Sequence, residues 1–127
     1  SSIIRKLTPD FKSMSTAAKK TWIEDTIATA LASKDLLVFS KYIDHATKGK
    51  KALAAVGVNF TLIELDERGE ERNGDVQQIL HSINGCRSVP NIISPKGFVG
   101  GGDETHQLQK TGALKGLLED AGCSFGE

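Results

Sequence analysis

The sequence predicts an α/β domain with a small mixed sheet, and three patterns support this prediction. A continuous apolar run at Leu36–Ser40 is followed by a helical segment that ends near Val56 and by a second apolar, β-branched run at residues 58–65. A strand, a helix and a strand over about thirty residues form a βαβ unit, whose two strands are parallel. Residues 89–100 then predict a β-hairpin around Ser94-Pro95-Lys96. Helical periodicity in the other segments completes the layered pattern.

The first predicted helix covers about residues 16–33 and begins after Ser13 or Ser15, either of which could cap it. Its apolar side chains form one stripe, made by Trp22, Ile23, Ile27, Ala30 and Leu31. Residues 1–13 mix charges with Pro9 and show no clear period. We therefore expect an arm or a short helix there.

The later helices are predicted from their end signals. Asp75 is expected to cap a helix that runs through Asn84 and ends at Gly85. Asp103 is expected to cap a last helix, which is broken near Gly112 and then resumes.

Length, charge and cysteine content limit the classes of function. The 127 residues predict one folded domain at residues 16–121, with an N-terminal arm at residues 1–15 and a C-terminal tail at residues 122–127. Lys and Arg number 16, as do Asp and Glu, which gives no case for a nucleic acid or membrane partner. Two cysteines are too few for a disulfide scaffold, so we expect a reducing compartment such as the cytoplasm. We also expect a monomer. The N-terminus is too short and too polar for a signal peptide, and a trimmed targeting segment would leave no trace.

Several short segments, in order and at matching spacing, resemble the glutaredoxins, a branch of the thioredoxin-fold superfamily. The matching segments lie within residues 16–121 and are Val38-Phe39-Ser40-Lys41, Lys50-Lys51-Ala52-Leu53, Gly57-Val58-Asn59-Phe60, Ile63-Glu64-Leu65-Asp66, Gly85-Cys86-Arg87-Ser88-Val89-Pro90-Asn91, Gly100-Gly101-Gly102-Asp103-Glu104-Thr105 and Leu108-Gln109-Lys110-Thr111-Gly112-Ala113-Leu114. Each segment alone is a weak signal, and the ordered set is specific. The resemblance implies a thioredoxin-like fold with a four-stranded mixed sheet flanked by helices, and an extra N-terminal helix.

The resemblance also implies a glutathione-binding groove. A cis Pro90 would turn the Val89 backbone toward glutathione, which would pair with it as an added strand. Asp103 and Glu104 at a helix start would hold the ligand's ammonium group, and Lys41 and Arg87 would hold its carboxylates. The full set of expected glutathione-binding residues is Lys41, Arg87, Ser88, Val89, Pro90, Gly101, Asp103 and Glu104.

The chain departs from the family in the loop after Lys41. The family has Cys-Pro-Tyr-Cys or Cys-Gly-Phe-Ser there, and this chain has Tyr42, Ile43, Asp44, His45, Ala46 and Thr47. Counting forward from Lys41 places Asp44 at the nucleophilic position, and counting back from Gly57 places Ile43 near it. Neither residue has a thiol, so no catalytic cysteine is intact. The [2Fe–2S] cluster that some relatives share between a cysteine and glutathione would lose its protein ligand, so we expect neither a metal nor a cluster.

Four hypotheses follow from these residues. The first is a protein that binds glutathione or glutathionylated partners and has lost most or all thiol–disulfide exchange. The second is residual oxidoreductase activity at Cys86. We consider it less favoured, because a thiol seldom reacts without an activating environment, and we expect Cys86 to be a bystander. Cys123 is expected to be inert. The third is a non-enzymatic interaction module that uses residues 1–15. The fourth is that the loop was altered by laboratory design rather than by natural divergence. An acid–base pair or metal site at Asp44-His45 is a less favoured interpretation, because adjacent residues at a helix start point in different directions, and neither the zinc spacing nor a third ligand is present.

Overall fold

Strands and helices alternate along the chain in the computed structural model, which describes residues 1–41, 46–67 and 69–126 and, of these, all side chains except those of residues 46–48 and 67. In chain order the elements are β1 (Ile4–Lys6), α1 (Thr16–Ala32), β2 (Leu36–Ser40), α2 (Ala46–Val56), β3 (Phe60–Glu64), α3 (Asp75–Asn84), β4 (Asn91–Ser94), β5 (Gly97–Gly100), α4 (Gly102–Thr111) and α5 (Leu114–Asp120). Short 3₁₀ turns occupy Phe11–Ser13 and Leu65–Glu67. Within the described ranges, no helix is long and apolar enough to cross a membrane.

The five strands form one mixed sheet in the order β1-β3-β2-β4-β5. Strands β2 and β3 are parallel, with Leu36 opposite Phe60, which confirms the predicted βαβ unit. Strand β4 runs antiparallel to β2 and forms the predicted hairpin with β5. The predicted α/β class with a thioredoxin-like mixed sheet is therefore confirmed, with one more strand than expected.

The additional strand is β1, which comes from the segment where the sequence predicts only an arm or a short helix. It pairs parallel to β3, with Ile4 opposite Phe60. Farther on, Phe11 is buried and meets Trp22 edge to face, with 5.8 Å between the ring centroids. A strand of three residues is too short to show a periodic pattern, which explains why the sequence does not reveal it.

The core consists of two apolar layers, one on each face of the sheet. Helices α1 and α3 cover the face that carries Leu37 and Phe39, and α2 and α5 cover the face that carries Leu36 and Val38. Every residue of β2 is buried, as expected for a central strand. Burying one such large apolar side chain stabilises the fold by about 1.5–3 kcal/mol.

The helix ends agree with the sequence in most places. Ser15 caps α1, because its hydroxyl oxygen accepts a hydrogen bond of 3.1 Å from the Ala18 amide. Gly85 follows α3 with a left-handed backbone (φ 78°), as its position predicts. The predicted N-caps Asp75 and Asp103 are wrong, because Gly74 and Gly101 occupy the cap positions. Both aspartates lie in the first turn instead, where the helix dipole stabilises a negative charge.

Candidate functional site

One edge of the sheet gathers the ends of several elements. The parallel strands β2 and β3 end there at Ser40 and Glu64, and α2 begins nearby at Ala46. Because β4 is antiparallel to β2, its preceding residue Pro90 lies at the same edge, and β5 ends there at Gly100. Free amide groups at helix starts favour anions at such an edge.

The segment before β4 is fixed by side-chain amides. The Val89–Pro90 peptide bond is cis, as the resemblance implies. The Gln77 amide donates a hydrogen bond of 2.9 Å to the Arg87 carbonyl, and the buried Asn91 amide donates one of 3.0 Å to the Cys86 carbonyl. These bonds anchor the backbone, while the Arg87 side chain is exposed.

The start of α4 lies directly against this segment. A Cβ atom added to Gly101 would meet the Pro90 carbonyl oxygen at 3.5 Å and Glu104 Oε2 at 3.3 Å. The Gly101 carbonyl accepts hydrogen bonds from the amide and hydroxyl of the buried Thr105, at 3.1 and 2.7 Å. The acidic first turn, with Asp103 and Glu104 exposed, is thus held beside Pro90.

Helix α2 approaches the same point through a glycine. A Cβ atom on Gly49 would lie 3.2 Å from Pro90 Cγ and 3.5 Å from the Cα of Gly102, the first residue of α4. Only a residue without a side chain allows this separation without displacing Pro90. The starts of α2 and α4 are therefore close together around Pro90.

Lys41 directly follows β2 at this edge. Its carbonyl accepts hydrogen bonds from the Ser40 hydroxyl and from Lys50 Nζ, both at 3.2 Å. Lys50 lies on α2, and its amine is also 3.5 Å from Oε2 of the buried Glu64. The start of the loop is therefore connected to both α2 and β3.

The residues expected to bind glutathione fall at this edge. Pro90, Gly101 and Glu104 lie in close proximity, Lys41 comes at the end of β2, and Arg87 and Ser88 are exposed on the segment that leads to Pro90. Their roles toward a ligand remain predictions. Tyr42, Ile43, Asp44 and His45, which include both candidates for the nucleophilic position, lie outside the described residues. Ala46 and Thr47 form the first part of α2.

The two cysteines have different surroundings. Cys86 is partly exposed, and its Sγ lies 3.4 Å from the Ser88 hydroxyl. Cys123 is partly buried in the α2–α5 layer, where burial, followed by the negative charge of Asp35, raises the pKa of its thiol to about 11. Across the part of the chain that the structure describes, no cluster of three or more His, Cys, Asp or Glu residues is placed to hold a metal ion.

Sequence reasoning missed three residues of this edge: Gly49, Lys50 and Glu64. Gly49 has no distinguishing sequence signal, because its role is a contact with distant parts of the chain. A signal for the other two was present. Glu64 ends an apolar strand, where a charge is rarely placed without a partner, and Lys50 belongs to the lysine-rich first part of α2, which can supply that partner.

The sheet order and the arrangement of Pro90 beside α2 and α4 define a thioredoxin-fold protein of the α/β class. Similar solved structures include oxidized glutaredoxin 2 from Chlamydomonas reinhardtii, with 34% identity, a TM-score of 0.68 and coverage of 86% of this chain and 98% of that one. A buckwheat glutaredoxin–glutathione complex gives 28% identity and a TM-score of 0.64, over 82% of this chain and 94% of that one.

Sequence relatives identify the family. Glutaredoxin-C2 of Arabidopsis thaliana is 35% identical over 96 residues, which cover 75% of this chain and 85% of that protein. Monothiol glutaredoxin-S12, chloroplastic, of the same plant is 28% identical over 116 residues, which cover 91% of this chain but only 64% of that protein. No family model matches the chain. The chain belongs to the glutaredoxin family.

Proposed function

We propose that the chain binds glutathione, or a glutathionylated protein, at the sheet edge between residues 87–90 and the start of α4. The observation that carries this proposal is the close contact of Pro90, Gly101 and Glu104, which sets a half-buried Val89 beside an acidic helix start. A buckwheat relative of the same fold has been solved in complex with glutathione.

Charge complementarity supports the proposed ligand. Glutathione carries two carboxylates and one ammonium group, and this edge offers the cations of Lys41 and Arg87 and the acidic side chains of Asp103 and Glu104. Each hydrogen bond to a charged group contributes about 1.5–3 kcal/mol, so a few of them support binding without any covalent bond to sulfur.

We further propose that thiol–disulfide exchange in the loop at residues 42–47 is lost or strongly reduced. Exchange requires a thiolate that attacks a disulfide sulfur, forms a mixed disulfide and releases the other sulfur as a thiolate. The loop contains no cysteine, and a carboxylate such as that of Asp44 does not exchange with a disulfide. The same absence removes the loop thiolate that would bind an iron–sulfur cluster, so we propose that the chain does not bind one.

Titration calorimetry with reduced glutathione tests the groove. We expect binding at millimolar ligand, weakened about tenfold by Arg87→Met, because one charged hydrogen bond of about 1.5 kcal/mol or more is lost. Arg72→Met, which removes an equally exposed cation outside the groove, is the matched control and should bind like the wild type. The absence of heat at millimolar glutathione would exclude the groove.

Restoration of the cysteine tests the loss of exchange. The wild type and Cys86→Ser are expected to show the same negligible rate of glutathione-dependent disulfide reduction, and Asp44→Cys or Ile43→Cys is expected to create activity. A wild-type rate that disappears in Cys86→Ser would instead establish the alternative, an oxidoreductase at Cys86.

The remaining proposals concern the setting of the protein. The low cysteine content favours a reducing compartment such as the cytoplasm, although one relative is named as chloroplastic. The balanced charge gives no case for nucleic acid or membrane partners. We propose a monomer, and sedimentation measurements would test the oligomeric state. A non-enzymatic interaction module remains the alternative function.

A further inference from the structure

A buried charge lies at the same edge of the sheet as the proposed glutathione site. Glu64, the last residue of β3, has a side chain that is only 2% exposed and lies opposite Ser40 of β2. Lys6 Nζ is 3.4 Å from its Oε1 and Lys50 Nζ is 3.5 Å from its Oε2. The Lys50 side chain is 19% exposed and that of Lys6 is 61% exposed, so Lys50 is the more buried partner.

This pair is poorly designed for stability alone. Within the described residues, Glu64 Oε2 accepts no hydrogen bond although it is buried. Burying a carboxylate without satisfying both oxygens carries a desolvation cost that apolar side chains would avoid. A task of the Lys50–Glu64 pair other than packing would depend on the other contacts of Lys50.

The second contact of Lys50 indicates what that task is. The same Nζ that faces Glu64 donates a hydrogen bond of 3.2 Å to the Lys41 carbonyl, which also accepts one from the Ser40 hydroxyl. A carbonyl oxygen has two lone pairs, and both are used here. The Lys41 carbonyl is thus fixed where the chain leaves β2.

We propose that Lys50 and Glu64 are positioning residues that orient Lys41 for the carboxylate of glutathione; this inference rests on the proposed function. Glu64 neutralises the ammonium group of Lys50 and keeps it turned inward, and Lys50 holds the Lys41 carbonyl. Without the carboxylate, the ammonium group moves toward solvent and the Lys41 carbonyl loses a partner.

Calorimetry on a set of variants tests this arrangement. Lys50→Met and Glu64→Gln should each weaken glutathione binding about threefold to tenfold at a temperature where both are folded, and the double variant should be no weaker than the worse single one. Lys50→Arg, which keeps a charged donor, should recover part of the affinity. Lys6→Met and Lys51→Met each remove a nearby cation without touching the Lys41 carbonyl, and should bind like the wild type.

A second measurement separates this inference from the proposed function. The carbonyl ¹³C shift of Lys41 in NMR spectra should change in Lys50→Met and Glu64→Gln but not in Lys6→Met, with no ligand present. Wild-type binding combined with an unchanged affinity in Lys50→Met would overturn the positioning role and leave the groove intact. A wild type that fails to bind would overturn the groove, and an unchanged Lys41 shift would overturn the contact itself.

Discussion

At the scale of single residues, Gly49 determines how closely α2 approaches the candidate site. Its missing side chain leaves room for Pro90 and the first residue of α4, which lie 3.2 and 3.5 Å from where a Cβ atom would be. Any larger residue must displace one of these groups. The geometry of the site is therefore sensitive to a position that would not itself touch a ligand.

We expect Gly49→Val to lower the free energy of unfolding by about 1–3 kcal/mol, because overpacking at a close contact forces the surrounding structure to shift. The same change should weaken glutathione binding. Gly116→Val on α5 is the control, since nothing lies within 4 Å of the added Cβ there. Urea denaturation and calorimetry would measure both effects, and equal stability of the two variants would contradict the role of Gly49.

At this scale, the sequence predicts the features that depend on neighbouring residues. The Ser15 cap, the Gly85 stop and the cis bond before Pro90 follow from neighbouring residues or from family motifs. Contacts such as that of Gly49 with Pro90 join residues far apart in the chain, so no local pattern reports them. Whether Asp44 or Ile43 takes the nucleophilic position stays a prediction.

At the scale of elements, a small charged cluster joins the starts of α1 and α3. Lys19 Nζ on α1 is 2.7 Å from Oε1 of the buried Glu70 and 3.3 Å from Oδ2 of Asp75. Glu70 Oε2 accepts a hydrogen bond of 2.8 Å from the Val76 amide, and Asp75 accepts one from the Thr16 hydroxyl. Glu70 thereby satisfies a free amide at the start of α3 and, through Lys19, ties this helix to α1.

Removing the Lys19 cation should therefore destabilise the fold. We expect Lys19→Met to lower the free energy of unfolding by about 2–4 kcal/mol, because it leaves the Glu70 carboxylate buried without its partner. Lys20→Met removes an exposed charge from the same helix and should change stability little. A thermal denaturation series on both variants would decide, and equal effects would contradict the buried pair.

The pH dependence of this cluster has a defined sign. Hydrogen bonds from the Thr16 hydroxyl and then from Lys19 lower the pKa of Asp75. Burial alone would lower the pKa of Lys19, but the hydrogen bonds and charges of Glu70 and Asp75 outweigh it and raise that pKa. The contribution of Asp75 to stability is therefore fully present above the pKa of an aspartate in the unfolded chain, about 4. It is lost as pH falls through the lower pKa of Asp75 in the folded chain. The stability difference between the wild type and Lys19→Met should shrink on that acid side.

At the scale of the whole molecule, Cys123 should limit stability at alkaline pH. Its folded pKa of about 11 lies above that of an unfolded cysteine, so the folded chain retains a proton that the unfolded chain has lost. The stability that the folded chain gains from the bound thiol proton is therefore fully present below about pH 8.5, the pKa of an unfolded cysteine, and is lost as pH rises through about 11.

We expect wild-type stability to fall between these values by about 1–2 kcal/mol more than that of Cys123→Ala, after allowance for the partial exposure of the thiol. Urea denaturation across this range provides the measurement, and parallel curves for the wild type and Cys123→Ala would contradict the raised pKa.

The overall architecture was largely predictable, because long buried runs such as β2 and strong helix-end signals specify their elements. The exception is β1, where three exposed residues pair with β3 more than fifty positions away. Such a short segment becomes a strand through its partner rather than through its own pattern. The division of the chain at residues 15 and 121 stays a prediction.

Strand β1 is the outermost strand on its side of the sheet, and this position affects how the protein behaves at high concentration. Ile3 and Ile4 are 58% and 44% exposed, next to a sheet edge that no other described strand covers, which is the kind of surface on which strands from other molecules add and aggregates grow. Arg5 and Lys6 follow directly, and two such edges in antiparallel contact would bring like charges together. We therefore expect these two cations to oppose self-association at a place where the exposed apolar residues favour it.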